Sequence, residues 1–334
     1  MNLKFSILIP VYNRPQEMEE LLGSLTRQDY SNAFEVIVIE DGSTQSSEAV
    51  VKKYKHLLEL EYYKKENSGP GWSRNFGMQK AKGNYFIILD SDCILPKEYL
   101  KEVSIALKNN YTDAFGGPDA SHKSFTAIQK AINYAMTSML TTGGIRGHKK
   151  GVQKFQPRSF NMGMSKNAFQ KTKGYASQRY GEDIDLSFRL WKHNFKTQLI
   201  SKAFVYHKRR ANIKQFYEQT FNFGAARPIL NKQHLNTSKI TYWFPSLFAL
   251  GFLFSILLGF FRISIFLKLY GLYFVLIFVD SLVKNRSVAV AALSILTSFV
   301  QFLGYGLGFL RSTYRLTILN NSIEETFPKM FNRE

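Results

Sequence analysis

"VIVIEDGST", residues 36–44, joins an apolar run to two carboxylates, Glu40 and Asp41, and then to a glycine and two hydroxyl residues. A short unbroken apolar run is typical of a strand that is buried on both faces of a parallel sheet. The Gly-Ser-Thr that follows predicts the turn that ends this strand. The turn does not explain why two adjacent carboxylates stand at the end of a strand that is expected to be buried.

The chain on either side of this stretch alternates between strand and helix patterns. We predict strands at residues 5–9, 34–39, 60–63 and 85–89, with Pro10 ending the first. Helical patterns lie between them, at residues 16–26, from Ser46 and Ser47 onward, and at residues 71–82. This alternation predicts an α/β fold whose mostly parallel sheet is covered by helices on both faces. Ligands of such sheets bind beyond the carboxyl ends of the strands.

A second acidic pair follows the fourth predicted strand. Asp90 and Asp92 stand in "YFIILDSDCILP", residues 85–96, so both pairs would lie on one edge of the sheet. Carboxylates that crowd together repel unless a cation or hydrogen-bond donors lie between them. Mg²⁺ and Mn²⁺ take such oxygen ligands, often together with phosphates of a substrate. A turn before a helix that starts near Pro96 is the other interpretation of Asp92.

Four motifs occur in a fixed order along the chain. They are "SILIPVYNRP" (6–15), "VIVIEDGST" (36–44), "NSGPGWSRNFGMQKAKGNYFIILDSD" (67–92) and "YGEDIDLSFRL" (180–190). In these motifs residues 4–210 resemble the family 2 glycosyltransferases, which have the GT-A fold. The resemblance implies an inverting enzyme that takes its sugar from a nucleotide-diphospho-sugar donor.

The resemblance also implies a donor site. The residues that it assigns to the nucleotide-sugar are Pro10, Tyr12, Glu40, Asp41, Arg74, Asn75 and Asp90. Within that set Glu40 and Asp41 would contact the base and the ribose, although the family usually has two aspartates there. Asp90 and Asp92 match the metal-binding D-x-D, and the ion, Mn²⁺ or Mg²⁺, would neutralise charge on the diphosphate. His207, after a predicted edge strand, is either a third metal ligand or a surface residue beside three cations.

On the acceptor side the resemblance points to the pair Glu182–Asp183. Asp183 matches the aspartate that serves as general base and removes a proton from the acceptor hydroxyl. Acidic residues also stabilise a helix N-terminus, which is our interpretation of Asp185. Asn161, in "RSFNMGMSKNAF", is a further candidate acceptor contact. A helix predicted at residues 125–140 and a mobile loop at residues 141–147 would help to shape the acceptor cleft.

The C-terminal part is strongly apolar. Residues 242–261 and 288–310 carry no charge, and residues 263–283 carry Lys268 and Asp280. A membrane span needs about 20 apolar residues, so we predict three spans rather than buried core helices. Gly304 and Gly308 have the spacing that lets a neighbouring helix approach closely. We therefore predict a GT-A domain at 1–235, transmembrane helices at 240–312 and a tail at 313–334.

The formal charge of +19 fits either nucleic acid or an anionic membrane surface. The apolar C-terminal part favours the inner leaflet of a membrane, and we expect no nucleic-acid partner. Basic and aromatic residues near 211–235 predict a helix that lies in the membrane interface. The N-terminus lacks the pattern of a signal peptide, so we expect a cytoplasmic catalytic domain on a multi-pass protein of the inner membrane. Arg311 and Arg315 beyond a third span conflict with the positive-inside rule, which leaves the number of spans open.

The expected reaction is transfer of a sugar to a hydroxyl of a lipid-linked or membrane-proximal glycan, in cell-surface polysaccharide assembly. Transfer to polyprenyl phosphate and processive synthesis are alternatives. The Q-x-x-R-W signature of processive synthases is missing from "QTFNFGAARPI", residues 219–229. A scaffold that binds a nucleotide-sugar without catalysis is the alternative outside enzymes. A dinucleotide-binding enzyme is disfavoured, because no G-x-G-x-x-G follows the first strand.

Overall fold

The computed structural model describes residues 2–143 and 155–331, which form two compact units. Of the described residues, 2–122 and 155–208 belong to the first unit, and 123–143 and 209–331 belong to the second. This division differs from the predicted domain boundary at residue 235. The chain enters the second unit twice, and the predicted interfacial segment 211–235 lies within that unit.

The first unit is built on two β-sheets. Its strands are β1 (Phe5–Val11), β2 (Phe34–Asp41), β3 (Glu59–Lys65), β4 (Tyr85–Leu89), β5 (Cys93–Ile94), β6 (Ala114–Gly116), β7 (Asp119–Ala120), β8 (Asn161–Ser165), β9 (Thr197–Leu199) and β10 (Val205–His207). The larger sheet has the order β3-β2-β1-β4-β8-β6-β9, and the smaller has the order β5-β10-β7. In the larger sheet only β8 runs antiparallel to its neighbours. The mostly parallel sheet is therefore confirmed.

Helices cover both faces of the larger sheet. Those of the first unit are α1 (Pro15–Leu25), α2 (Glu48–Tyr54), α3 (Pro70–Lys80), α4 (Tyr99–Asn109), α7 (Lys166–Thr172) and α8 (Glu182–Lys192). Neighbouring residues of β1 point to opposite faces, as the period of a strand requires. Ile7 lies in the core under α1 and α4, whereas Leu8 lies in the core under α3 and α8. This layered arrangement brings the carboxyl ends of β1, β2 and β4 to one edge.

Two predicted strand ends are wrong. Strand β2 does not stop before the acidic pair, because it stays paired through Glu40 and Asp41, which lie opposite Val11 and Lys65. Strand β1 likewise runs through Pro10, which is buried and paired with Ile39. Parallel partners on both sides keep β2 extended through Glu40, and β3 alone extends it through Asp41. The two carboxylates are thus positioned by the sheet and not by the turn.

The second unit is helical. Its α-helices are α5 (Ala127–Thr137), α6 (Met139–Thr142), α9 (Ile213–Gln233), α10 (Phe244–Phe260), α11 (Ile265–Asn285), α12 (Val288–Thr317) and α13 (Ile323–Thr326). Three segments are long and apolar enough to cross a membrane, namely Ile240–Phe260, Ile265–Asn285 and Val288–Thr317. They agree with the three predicted spans. Large apolar side chains such as Phe260 and Val283 are exposed on them, which suits contact with lipid.

Glycines let α9 and α12 pack backbone against backbone. A Cβ atom added at Gly304 would lie 2.3 Å from Thr220 Oγ1, and one at Gly308 would lie 2.1 Å from the carbonyl oxygen of Phe221. The predicted close approach at Gly304 and Gly308 is confirmed, and the approaching helix is α9. This packing is the physical reason that residues 213–233 join the second unit. Residues 125–140 include α5 and the first half of α6. The predicted loop 141–147 begins inside α6, which ends at Thr142, and lies outside the described residues from 144 onward.

Candidate active site

The acidic pair at the end of β2 is buried and held by many donors. The Glu40 carboxylate accepts hydrogen bonds from the Ser47 backbone N–H at 2.7 Å, from the Tyr62 hydroxyl at 3.2 Å and from Ser43. Gly42 starts the turn with φ 75°, where a Cβ atom would lie 2.6 Å from the Asn67 backbone nitrogen. Glu40 thus organises the turn after β2. Burial of the hydroxyl raises the pKa of Tyr62 to about 12, and the charge of Glu40 adds to the rise.

Asp41 holds the loop that leads into α3. Its carboxylate accepts from the backbone N–H groups of Ser68 and Gly69, each at 2.9 Å, and pairs with Lys65. This loop fixes the start of α3, and Arg74 is the fifth residue of that helix. The acids at the end of β2 therefore fix the position of a cation at the carboxyl edge. Direct contact of Glu40 and Asp41 with a base or ribose stays a prediction.

Arg74 connects two acidic motifs of the carboxyl edge. Its Nη2 lies 2.7 Å from Asp90 Oδ1, and its Nη1 lies 3.0 Å from Glu182 Oε1. The side chain is 4% exposed, and its guanidinium packs over the Tyr175 ring. A buried guanidinium with two carboxylate partners is well compensated electrostatically. The D-x-D at the end of β4 and the Glu-Asp at the start of α8 are thereby joined by one side chain.

The two acids at the start of α8 have different surroundings. Burial is the main cause that raises the pKa of Glu182 to about 7, the charge of Asp183 adds to the rise, and Arg74 opposes it. Asp183 Oδ1 accepts from the Ile184 backbone N–H at 2.8 Å, and Asp183 Oδ2 lies 3.6 Å from Arg158 Nη1. Ser159 Oγ lies 3.2 Å from Glu182 Oε1. The Arg158–Ser159 dipeptide thus approaches both acids of the motif.

Asp92 and His207 come together at the join of the two sheets. The register of β10 on β5 pairs His207 with Cys93, which brings the imidazole Nε2 to 3.2 Å from Asp92 Oδ1. Arg14 pairs with the other oxygen of this carboxylate. Burial favours the neutral acid, but the charges of His207 and Arg14 outweigh it and hold the pKa of Asp92 below its ordinary value. The prediction that His207 follows an edge strand is wrong, because His207 is the last residue of β10, which is the middle strand of the smaller sheet.

The donor set around Asp92 fits a divalent metal ion. Asp92 Oδ1 and His207 Nδ1 are buried and form no hydrogen bond within the described part of the chain, although Asp92 Oδ1 faces the imidazole Nε2 at 3.2 Å. One ligand atom each of Asp92, Cys93 and His207 lies within 4.8 Å of the others. Burial keeps the pKa of the Cys93 thiol well above its ordinary value, so Cys93 is a poor ligand for Mn²⁺ or Mg²⁺. Asp90 lies two residues away with its Oδ1 on Arg74.

Four further predicted site residues, Asn75, Asn161, Pro10 and Tyr12, form no contact with these acids in the contacts described above. Asn75 Nδ2 donates to the Tyr175 carbonyl and Asn75 Oδ1 accepts from the Tyr175 backbone N–H, each at 2.8 Å. Asn161 is fully buried, donates to the Ala203 carbonyl at 2.8 Å and accepts from the Tyr99 hydroxyl at 2.6 Å. Pro10 is inside β1, as described above, whereas Tyr12 just beyond that strand is half exposed. Ligand contacts by these four residues stay predictions.

Four contacting residues were missed in the sequence. Arg14, Lys65, Arg158 and Tyr175 touch predicted site residues and were not assigned a role. Three of them had a signal. Arg14 stands inside the first quoted motif, between β1 and α1, and Arg158 opens the quoted motif "RSFNMGMSKNAF". Lys65 is the parallel partner of Asp41 in the strand register. Tyr175 follows no strand end or motif that could have pointed to it.

The strand order, the layered helices and the acidic carboxyl edge define a GT-A-like α/β domain. Residues 6–173, about half of the chain, match the family model described as Glycosyl transferase family 2. The chain belongs to that family.

Curated relatives of this chain include two enzymes of Staphylococcus aureus. Poly(ribitol-phosphate) beta-N-acetylglucosaminyltransferase TarS is 36% identical over 114 residues, which are 33% of this chain and 20% of TarS. Poly(ribitol-phosphate) beta-N-acetylglucosaminyltransferase TarP is 30% identical over 132 residues, which are 39% of this chain and 40% of TarP. The chain thus spans a fifth of the first relative and two fifths of the second.

Solved structures share the fold over most of the chain. The crystal structure of S. aureus TarS 1–349 in complex with UDP-GlcNAc has a TM-score of 0.51 at 20% identity, covering 94% of this chain and 92% of that one. The mannosyltransferase PcManGT from Pyrobaculum calidifontis, in complex with GDP-Man and Mn²⁺, has a TM-score of 0.57 at 15% identity, covering 91% and 88%. At these identities the likeness concerns the fold alone.

Proposed function

We propose that this chain is an inverting glycosyltransferase. It moves a sugar from a nucleotide-diphospho-sugar to a hydroxyl group of a lipid-linked or membrane-proximal glycan. The observation that carries this proposal is the bridge made by Arg74, with Asp90 at 2.7 Å and Glu182 at 3.0 Å. Through this one side chain the D-x-D, which we assign to the donor, is linked to the Glu-Asp, which we assign to the acceptor. Family membership and relatives that are N-acetylglucosaminyltransferases support the same reaction class.

The donor would lie along the carboxyl edge, with its base toward Glu40 and Asp41 and its diphosphate toward Asp90 and Asp92. TarS in complex with UDP-GlcNAc and PcManGT in complex with GDP-Man support a nucleotide-sugar as the donor. Arg74 is the cation already held at this edge. Because it stays buried and oriented by two carboxylates, it needs little reorganisation to stabilise negative charge on a leaving nucleotide.

Asp92 and His207 would hold a divalent metal ion, with Asp90 as a third ligand. When bound, this ion would supply Lewis-acid stabilisation of the charge that develops on the diphosphate. The buried Asp92 Oδ1 and the imidazole of His207, whose Nε2 lies 3.2 Å from it, support this set. Arg14 pairs with the other oxygen of Asp92 and helps to keep that carboxyl ionised, which leaves Oδ1 for the ion.

Asp183 would act as the general base. It removes the proton from the acceptor hydroxyl while that oxygen attacks the anomeric carbon and the nucleotide leaves from the opposite face. Displacement in one step inverts the configuration at that carbon. Arg158, at 3.6 Å from Asp183 Oδ2, would help to orient this carboxylate.

The three apolar helices of the second unit would anchor the protein in the cytoplasmic membrane, with the catalytic unit in the cytoplasm.

A binding experiment tests the donor and metal sites. The full chain in detergent is heated with UDP-, GDP- and dTDP-sugars, each with and without Mn²⁺. We expect at least one nucleotide-sugar to raise the melting temperature, and to raise it more with Mn²⁺. Asp92→Asn should abolish the Mn²⁺-dependent part. A melting temperature that no nucleotide-sugar changes in a metal-dependent way would contradict the donor site.

A transfer assay tests the base. Asp183→Asn should lower the transfer rate by about 10²- to 10⁴-fold while donor binding is kept. Asp185→Asn is the matched control, because Asp185 is an acid of the same helical turn whose carboxylate pairs with Arg189 at 2.6 Å. We expect that variant to transfer at close to the normal rate. Undiminished transfer by Asp183→Asn would exclude the assignment of the base.

A further inference from the structure

Helix α9 of the second unit carries a buried arginine without a carboxylate partner. Arg227 is 8% exposed, and its Nε and Nη1 have no hydrogen-bond partner within the described ranges. None of the described carboxylates forms an ion pair with it. Its guanidinium stacks at 4.4 Å on the ring of Tyr242. An aromatic face compensates only part of the cost of burying a charge, so a further anion is expected at this position.

Unpartnered hydroxyl groups lie at the same level of the helix pair. Ser312 Oγ and Thr313 Oγ1 on α12 are buried and have no hydrogen-bond partner among the residues that the structure describes. Helices α9 and α12 run in parallel, since Thr220 lies beside Gly304, and Phe221 and Ala225 lie beside Gly308. Ser312 lies four residues beyond Gly308, and Arg227 lies a similar distance beyond the residues of α9 that contact Gly308. Because both helices rise by about 1.5 Å per residue, Arg227 and Ser312 lie at one level of the helix pair.

Aromatic residues indicate the depth of this arginine in a membrane. Tyr242, which stacks on Arg227, is followed by Trp243, whose ring lies 4.9 Å from that of Phe309. Both residues directly precede α10 within the first candidate span. Tyrosine and tryptophan at the end of a span are typical of the headgroup region. The anions available at that depth are the phosphates of lipids.

We propose that Arg227 binds the phosphate group of a membrane lipid, with the Ser312 hydroxyl as a second donor. An anionic phospholipid and an isoprenyl phosphate offer the same chemistry. Arg311, which is exposed one residue before Ser312, adds positive potential that attracts such lipids. The inference rests on the proposed membrane location of the second unit and is independent of the proposed sugar transfer.

Binding of defined lipids tests the site. The delipidated full chain in nonionic detergent is titrated with phosphatidylglycerol, with an isoprenyl monophosphate, with diacylglycerol and with inorganic phosphate, and the melting temperature is followed. We expect the two phosphate lipids to stabilise the chain and diacylglycerol to have no effect. Stronger binding of either phosphate lipid identifies the source of the phosphate and supports the site. Stabilisation by inorganic phosphate that neither lipid exceeds would overturn the lipid assignment.

Variants separate binding from packing. Arg227→Met should weaken phosphate-lipid binding by about tenfold or more, and should melt no lower than the parent chain without lipid, because an unpaired charge is removed. Ser312→Ala should weaken binding by about threefold and provides a second readout if Arg227→Met does not fold. Arg262→Met, at the exposed α10–α11 turn, is the control and should bind normally. Unchanged binding by both Arg227→Met and Ser312→Ala would overturn the proposal.

The two proposals can fail separately. Asp183→Asn should bind phosphate lipids as the parent chain does, whether or not it transfers sugar. Loss of lipid binding by Arg227→Met with donor binding intact would support the lipid site by itself. Donor binding that is abolished together with lipid binding in Arg227→Met would instead indicate a folding defect and contradict a local role of this arginine.

Discussion

Two buried arginines, one in each unit, have opposite surroundings. Arg74 in the first unit is held by Asp90 and Glu182, whereas Arg227 in the second unit has an aromatic ring and no described carboxylate. Both side chains are less than a tenth exposed. Burial therefore does not distinguish their roles, but their partners do. A paired arginine completes an organised site by itself, and an unpaired one is complete only with an anion from outside the chain.

Removing the paired arginine should have the largest effect on stability. Arg74→Met leaves the buried Glu182 carboxylate without its counter-charge, and losing one partner of a buried pair costs about 3–5 kcal/mol. We expect a large drop in melting temperature at about pH 8, and a smaller drop at about pH 6, where Glu182 takes up a proton. The double variant Arg74→Met, Glu182→Gln should recover part of the loss. An unchanged melting temperature of Arg74→Met would show that the bridge does not contribute to the stability of the fold.

The raised pKa of Glu182 predicts how the stability of the fold depends on pH. The pKa of Glu182 is raised to about 7 from an ordinary value of 4.5. Between these values the folded chain holds a proton that the unfolded chain has released, so stability falls as the pH rises through this window and levels off above it. The slope for one proton is at most about 1.4 kcal/mol per pH unit.

Glu182→Gln provides the matched measurement for this pH dependence. The amide keeps the shape of the side chain and an oxygen that accepts from Arg74 and Ser159, and it cannot titrate. Its melting temperature should therefore change less with pH than that of the parent chain between about pH 4.5 and pH 7. Parallel curves for the two proteins would rule out Glu182 as the titrating group.

Moving α9 away from α12 should disturb the unpaired arginine. In Gly308→Ala the new Cβ atom meets the Phe221 carbonyl oxygen at 2.1 Å, so the helices must separate. Overpacking of this kind costs about 1–3 kcal/mol. Gly271→Ala on α11 is the control, since a Cβ atom there meets nothing within 4 Å. Equal melting temperatures for the two variants would contradict the close packing of α9 on α12.

Placing a carboxylate beside Arg227 should give it an ion-pair partner, as Arg74 has. Asn231 stands one turn further along α9 with an unpartnered Oδ1, so Asn231→Asp places an acid four residues from Arg227. Without lipid we expect a gain of no more than about 0.2 kcal/mol from this pair, because the acid follows the arginine and lies in the last turn of α9. Phosphate-lipid binding should weaken, because the new acid competes for the guanidinium. Asn222→Asp, on another face of α9, is the control and should leave lipid binding unchanged.

The sequence was most informative where chemistry coincides with a strand end. The apolar runs before Glu40 and before Asp90 predicted a mostly parallel sheet with both acids on one edge, and this sheet is confirmed. The three apolar helices that are long enough to span a membrane and the close approach at Gly304 and Gly308 could also be predicted, because length and residue size decide them locally. Strand ends were less accurate, since pairing with a neighbouring strand extends β2 through Asp41.

The amino-acid sequence by itself determined the layered α/β fold, the apolar helices and the acidic residues that the sheet gathers at one edge. These follow from apolar periodicity and from the common direction of parallel strands. Only the tertiary structure decided the partners of those residues. Arg74 and Glu182 are 108 residues apart in the chain, and Arg14 reaches Asp92 across 78. An ion pair or a metal site depends on distances of a few ångströms, and packing between elements remote in sequence sets those distances.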